Sequence, residues 1–209
     1  MSAREAPTAL PPQFMGDLAH LAPHGHSHRS LTWWGMMGLI AIETTAFVLA
    51  GAAYLFLANQ SPDWPPGQIA PSMFWGNVFT VLLLVSFVPN MWVNRIAERE
   101  LLTPVRLGLV VMNLFGAVLL AIRYFEFRAL NVAWSDSAYG SIVVTILGLH
   151  TVHLATDFVD TMVLMVLMFT RHARGRRFVD CAENAIYWNF VVFGWAPLYA
   201  LLYWGPKWL

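Results

Sequence analysis

Five apolar stretches dominate the chain, and each is long enough to cross a lipid bilayer. A helix needs about 20 apolar residues to span ~30 Å of hydrocarbon. The stretches cover roughly residues 31–58, 73–92, 105–124, 141–169 and 185–204. Backbone polar groups find no water partner in hydrocarbon, so each stretch is predicted to be helical; none shows the two-residue alternation of a membrane β-barrel. We therefore predict an all-α, polytopic transmembrane bundle of about five spans.

Charge is scarce and unevenly placed. Only 11% of the residues are charged, too few to cover the surface of a soluble domain of this size. The connections after the second and fourth stretches hold six arginines, whereas the other two hold only Arg128. The six are Arg95, Arg99, Arg171, Arg174, Arg176 and Arg177. The positive-inside rule then predicts an inner N-terminus and an outer C-terminus.

The remaining organisation is simple. Residues 1–30 are polar and proline-containing, and we predict a disordered cytoplasmic tail followed by a single transmembrane bundle over residues 31–209. The only cysteine, Cys181, excludes an internal disulfide and is predicted to lie in the arginine-rich loop after the fourth span. The zero net charge gives no sign of a nucleic-acid partner.

Ionisable side chains inside the spans are the candidate functional residues, because such groups are costly in a bilayer. The first span contains Glu43. The fourth contains His150, His153, Asp157 and Asp160, spaced i, i+3, i+7 and i+10, which places all four on one helical face. We predict that this face meets another helix, a cavity or a partner subunit, and that Glu43 lies at a similar depth to His150.

Three interpretations of this face stay open. Two histidines and a carboxylate are suitable metal ligands, but the twinned Glu-x-x-His pattern of di-iron bundles is absent. Chains of acids and histidines also build proton or ion paths. The favoured interpretation is a buried hydrogen-bonding seam that locks the helices or seats a lipid or a partner. All the histidines in the spans lie on one helix, which disfavours haem ligation, and we predict no catalytic, cofactor-binding or metal-binding residue in this chain.

Four ordered blocks carry a family resemblance. The first span (Trp33–Phe56) places Glu43 in a Gly-Met…Glu helix, and Asp63–Ile69 contains a Trp-Pro-Pro loop with Trp64. Ser135–His153 matches Asp-x-x-Tyr-Gly-Ser…Gly-x-His-x-x-His, with Glu126 ten residues ahead of its aspartate. The motif residues of this block are Asp136, Tyr139, Gly140, Ser141 and Gly148. In the last block they are Glu183, Tyr187, Trp188, Trp195 and Tyr199. Over residues 33–205 the chain resembles subunit III of haem-copper respiratory oxidases (the cytochrome c oxidase subunit 3 family).

The resemblance implies a five-helix form of a usually seven-helix subunit. It implies a non-catalytic accessory subunit of an oxidoreductase and translocase complex in the aerobic respiratory chain, within a bacterial inner membrane. Haem and copper are then expected on the partner catalytic subunit I. This chain would stabilise that subunit together with other oxidase subunits, bind phospholipid and support proton uptake through Glu43, His150, His153, Asp157, Asp160 and Glu126.

The chain also departs from the family pattern. Asn189 and Val192 replace the usual histidine and aspartate of the last helix, and acids at positions 157 and 160 are unusual. Two alternatives therefore stay open: a stand-alone proton or ion channel or transporter that uses the Glu43, His150 and Asp157 face, and an accessory subunit of a nitric-oxide reductase or a quinol oxidase.

Overall fold

A computed structural model describes residues 31–66, 71–170 and 175–208. The long helices are α1 (Leu31–Gln60), α2 (Met73–Glu98), α3 (Leu102–Arg128), α4 (Ala138–Phe169) and α5 (Gly175–Tyr199). A π-helical turn, Ala200–Trp204, and the short helix α6 (Gly205–Trp208) continue α5. All five long helices are apolar enough to cross a membrane, and the described residues contain no strand, so the predicted five-span, all-α fold is confirmed. The predicted tail, residues 1–30, lies outside the described residues.

Helices α4 and α5 form the centre of the bundle. They pack against each other, α1 packs against both of them, α2 packs against α3 and α5, and α3 packs against α4. The main core between them is aromatic, with Phe79, Tyr139, Trp188 and Trp195 almost completely buried. Polar side chains on α4 and α5 are therefore placed to meet three other helices inside the protein.

At the arginine-rich end of the bundle, the helices run further than the apolar stretches. The predicted loop over 171–184 is wrong for most of its length, because α5 begins at Gly175. Cys181 lies in α5 and is 1% exposed, in a second core cluster that also contains Ile96, Val105, Met168 and Phe178. Hydropathy detects only the part of a helix that lies in hydrocarbon, and these turns are stabilised by packing against neighbouring helices instead.

The outer surface of the bundle is apolar. Large aliphatic side chains are exposed on every spanning helix, for example Leu39, Val85, Val118, Val166 and Phe193. Such surfaces fit lipid or a membrane partner rather than water. The orientation derived from the arginines stays a prediction.

Candidate functional site in the bundle interior

A buried arginine forms the centre of the polar interior. Arg123 on α3 is 1% exposed, and it donates from Nη1 to Glu126 Oε2 at 2.7 Å and from Nη2 to His150 Nδ1 at 2.8 Å. Its guanidinium lies 3.6 Å from the ring centre of Phe79 and 4.3 Å from that of Trp195. The positive charge is therefore balanced by a carboxylate in the plane and by two aromatic faces.

The hydrogen bonds of His150 fix its tautomer. An arginine can only donate, so Nδ1 of His150 must accept and carries no proton. The other ring nitrogen, Nε2, then carries the proton and donates to the carbonyl of Val191 on α5 at 3.0 Å. His150 is thus a neutral, fully satisfied link between α3, α4 and α5.

Glu126 links this network to the π-helical turn after α5. Its Oε1 accepts from the hydroxyl of Tyr203 at 2.5 Å, and both its oxygens are paired although its side chain is 1% exposed. Tyr203 sits in the π-helical turn, which follows Pro197, a residue whose nitrogen cannot donate to the α-helical pattern. A Cβ at Gly76 would collide with the Tyr203 ring, so the glycine allows the ring to pass α2.

Glu43 on α1 meets a different histidine. His153 Nδ1 bonds the carbonyl of Leu149 at 2.6 Å, and His153 Nε2 lies 3.6 Å from Glu43 Oε1. That separation exceeds a hydrogen bond, and Glu43 Oε2 is buried without a partner among the described residues. Tyr187 on α5 lies within electrostatic reach of both Glu43 and Asp157. Glu43 is thus held loosely between α1, α4 and α5.

The two aspartates of α4 differ in their exposure to the surroundings of the bundle. Asp157 is 0% exposed, and neither of its carboxyl oxygens has a hydrogen-bond partner of good geometry in the described part of the chain, although Thr161 lies within electrostatic reach. Asp160 is exposed, so of the four α4 residues it alone lies outside the bundle interior, and the prediction that this face meets another helix, a cavity or a partner subunit stays a prediction at this position. At about 100° per residue, Asp160 is about 80° around the helix from His150, whereas Asp157 is only about 20° away.

The Asp-x-x-Tyr-Gly-Ser block builds the start of α4. Asp136 accepts from the amide of Ala133 at 2.7 Å, and Ser137 caps the helix by accepting from the amide of Gly140 at 3.1 Å. The Ser141 hydroxyl donates to the carbonyl of Trp134 at 2.5 Å. A Cβ at position 140 would strike the carbonyl of Ala133, so only glycine lets the loop cross there. These residues fix the entry of α4 and hence the register of the polar face below it.

The Trp-Pro-Pro loop packs beside this turn. The ring of Trp64 lies 4.9 Å from that of Tyr139 and 5.1 Å from that of Tyr54, both edge-to-face. Tyr54 and Tyr139 are almost fully buried. The loop after α1 is thereby anchored over the start of α4. Gly148, the remaining motif glycine of α4, has no neighbour that a Cβ would meet.

The last motif block ties α5 to its neighbours. The Nε1 of Trp188 donates to Ser86 at 3.0 Å, the Nε1 of Trp195 donates to Thr80 at 2.8 Å, and the Tyr199 hydroxyl donates to Asn77. All three acceptors lie on α2. Nearer the start of α5, Glu183 accepts from Thr32 of α1 at 2.8 Å. The indoles of Trp188 and Trp195 are therefore interhelical hydrogen-bond donors in the core.

Sequence reasoning missed the central residue of the site. Arg123 lies in the third apolar stretch and was not counted among the charges inside spans, although it precedes Glu126 by three residues and shares its helical face. That spacing is the signal that could have identified it. No three His, Cys, Asp or Glu side chains in the described ranges lie close enough to hold a metal ion.

Comparison with known proteins agrees with the motif blocks. Residues 25–207 match the family model "Cytochrome c oxidase subunit III". Similar proteins include cytochrome c oxidase subunit 3 of Pylaiella littoralis, 27% identical over 81% of this chain and 65% of that protein. That of Thermostichus vulcanus is 24% identical over 86% of this chain and 90% of that protein, and that of Synechocystis is 26% identical over 86% and 78%. With nearly the whole described bundle inside the match, the chain belongs to the cytochrome c oxidase subunit III family.

Proposed function

We propose that this chain is a non-catalytic accessory subunit of a terminal haem-copper oxidase in a bacterial inner membrane. The family match over residues 25–207 carries the proposal. The partner catalytic subunit supplies haem and copper and reduces oxygen, and this chain binds beside it and stabilises it. The buried network around Arg123 supports this role, because it ties α3, α4, α5 and the π-helical turn into one rigid unit.

A groove between α1 and α5 supports lipid binding. It has a volume of about 280 Å³ and an apolar lining that includes Phe47, Val48, Leu55 and Leu201. Gly51 and Gly194 keep the helices' facing surfaces free of side chains there. We propose that an acyl chain of a phospholipid occupies this groove, since an apolar lining fits a hydrocarbon chain better than a polar group.

The loosely held acids support a role in proton uptake. Glu43 and Asp157 have buried carboxyl oxygens without hydrogen-bond partners among the described residues, and Tyr187 lies close to both. A carboxyl group without fixed partners can exchange its proton more readily than Glu126, whose oxygens are both paired. We propose that Glu43, His153 and Asp157 assist proton delivery to the partner, while Arg123, Glu126 and His150 are structural.

The decisive experiment is purification of the tagged chain from its native membrane in mild detergent, followed by a reduced-minus-oxidised haem spectrum. We expect haem and copper in stoichiometric amounts in the complex and oxygen reduction with either cytochrome c or quinol as donor. Nitric oxide reduction by the same complex would instead identify a nitric-oxide-reductase subunit. Stoichiometric metal on the separated chain, or proton flux through the chain alone in liposomes, would reject the accessory role.

A further inference from the structure

One carboxylate breaks the apolar outer surface of α4. Asp160 is exposed and has no hydrogen bond or ion pair with any described residue. It lines two grooves, one on each side. The first is apolar, about 350 Å³, and is lined also by Val152, Ala155, Thr156 and Val159. The second, about 260 Å³, has a mixed lining of apolar and polar residues that includes Val163, Glu183 and Asn184.

No arginine, lysine or histidine of the described residues forms an ion pair with Asp160. Arg177 lines the second groove, but its Nη1 is bonded to Asp180 at 2.8 Å. Arg106 of α3 donates to the carbonyl of Met168 and lies over the ring of Phe169. The carboxylate of Asp160 is therefore unpaired among the described residues, and a cation from outside them can pair with it.

The surroundings of Asp160 are those of a helix surface in hydrocarbon. Along α4, Val152 (60% exposed) and Val159 (48%) precede Asp160, and Val163 (49%) and Val166 (55%) follow it. The apolar stripe continues to Phe169, over about 25 Å at 1.5 Å per residue. A carboxylate facing lipid tails in such a stripe is costly, whereas one paired with a cation of a neighbouring helix is not. We call Val152, Val159, Asp160, Val163 and Val166 the Asp160 face.

The negative charge of Asp160 also limits which molecules can pack on the Asp160 face. A second copy of this chain packed on the same face would bring two Asp160 side chains together, and like charges at short range repel strongly. Lipid tails alone leave the carboxylate unpaired. The short side chains of Ala155 and Thr156 in the apolar groove allow another helix to approach closely. A basic side chain on that helix would satisfy both the groove and the charge.

We propose that the Asp160 face binds a transmembrane helix of a different polypeptide, which presents a lysine or arginine to Asp160. The statement that this polypeptide is an oxidase subunit rests on the function proposed above. The position of the binding face and the need for a cation are independent of that function. The partner is thus defined by two properties: an apolar helix surface complementary to the valines, and one cation at the level of position 160.

Photo-crosslinking in native membranes tests the proposal. A benzophenone amino acid is placed at Val159 or Val163 on the Asp160 face, and at Val110 or Val118 on the exposed face of α3 for comparison. We expect the α4 positions to form a crosslink to one other membrane polypeptide, with a lysine or arginine within one helical turn of the crosslinked residue. Asp160→Asn should lower this yield at least about tenfold, because truncating one partner of a desolvated charge pair weakens association by that much or more.

Controls and a charge swap complete the test. Glu98→Gln removes an exposed carboxylate at the inner end of α2 and should leave the α4 crosslink unchanged, and Asp160→Asn should leave the α3 crosslinks unchanged. Asp160→Lys should abolish association, and exchange of the partner's cation for aspartate should restore it. Crosslinks only to lipid, to a second copy or to residues 1–30 of this chain would overturn the proposal. A basic partner that is not an oxidase subunit would support the inference and reject the proposed function.

Discussion

Replacement of Arg123 by methionine is the sharpest test of the structural role assigned to the buried network. Methionine keeps the length and the apolar stem of the side chain but removes the guanidinium that bonds Glu126 and His150. Glu126 would then be a carboxylate in an almost fully buried position with only Tyr203 as donor. His150 would lose the donor to its Nδ1.

The expected cost is large because both partners are buried. Removal of one member of a buried ion pair costs about 3–5 kcal/mol, since the other charge is left uncompensated. The stranded His150 nitrogen places the result toward the upper end of that range. Replacing both members is different: Arg123→Met with Glu126→Gln leaves no buried charge, and the glutamine carbonyl still accepts from Tyr203. We therefore expect the double variant to recover at least about half of the loss.

The assay is the free energy of unfolding of the purified chain in mixed detergent, measured by tryptophan fluorescence for the single, double and parent proteins. Arg128→Met is the matched control, because Arg128 is an exposed arginine on the same helix with only a long contact, 3.4 Å, to Tyr124. It should change the free energy of unfolding by less than about 0.5 kcal/mol. An Arg123→Met loss below about 1 kcal/mol, or a double variant at least as unstable as Arg123→Met alone, would refute the reasoning.

Three further predictions concern Glu43, two glycines and the orientation of the chain in the membrane. Glu43→Gln should preserve assembly and initial oxygen reduction, whereas Glu43→Ala should shorten the active lifetime of the complex in an oxygen electrode; loss of initial turnover in Glu43→Gln would make Glu43 an obligatory proton carrier. Gly108→Ala should lower stability by about 1–3 kcal/mol, because its Cβ would lie 2.5 Å from a methyl of Val93, while Gly148→Ala should melt like the parent. In a cysteine-free background, an impermeant thiol reagent should label Ser135→Cys in intact cells and Glu98→Cys only in inverted vesicles; the reverse would invert the topology.

The spans could be predicted because membrane insertion depends on local hydrophobicity, which the sequence carries directly. The ends of α2 and α5 could not, since they depend on side chains from several helices. Phe178 and Cys181 are stabilised in helix by packing with Ile96 and Met168, and no local property of the chain reports that packing.

Most residues of the candidate site could be predicted from the sequence, but the hydrogen-bond partner of each residue could not. The spacing from His150 to Asp157 correctly places these residues on one buried face. Which partner each one meets depends on the rotation of the neighbouring helices, so the sequence could not assign Arg123 to His150 or Glu43 to His153. Spacing along the helix is not sufficient for Asp160. The four residues span about 80° of the helix surface, which is wider than the part of α4 that its neighbours cover, so Asp160 stays exposed.

The polar face of α4 therefore has two unlike ends. Nearer the start of α4, His150 is held by hydrogen bonds on both ring nitrogens, which favours one fixed arrangement of α3, α4 and α5. Nearer the end of α4, Asp157 is buried without a good partner, and Asp160 is exposed and unpaired among the described residues. Unpaired carboxyl groups in a membrane protein destabilise the isolated fold, and departures of this kind are expected at functional sites. The half of the face that contains His150 thus contributes to the stability of the bundle, and the half that contains Asp157 and Asp160 is where we propose that a proton or a partner helix acts.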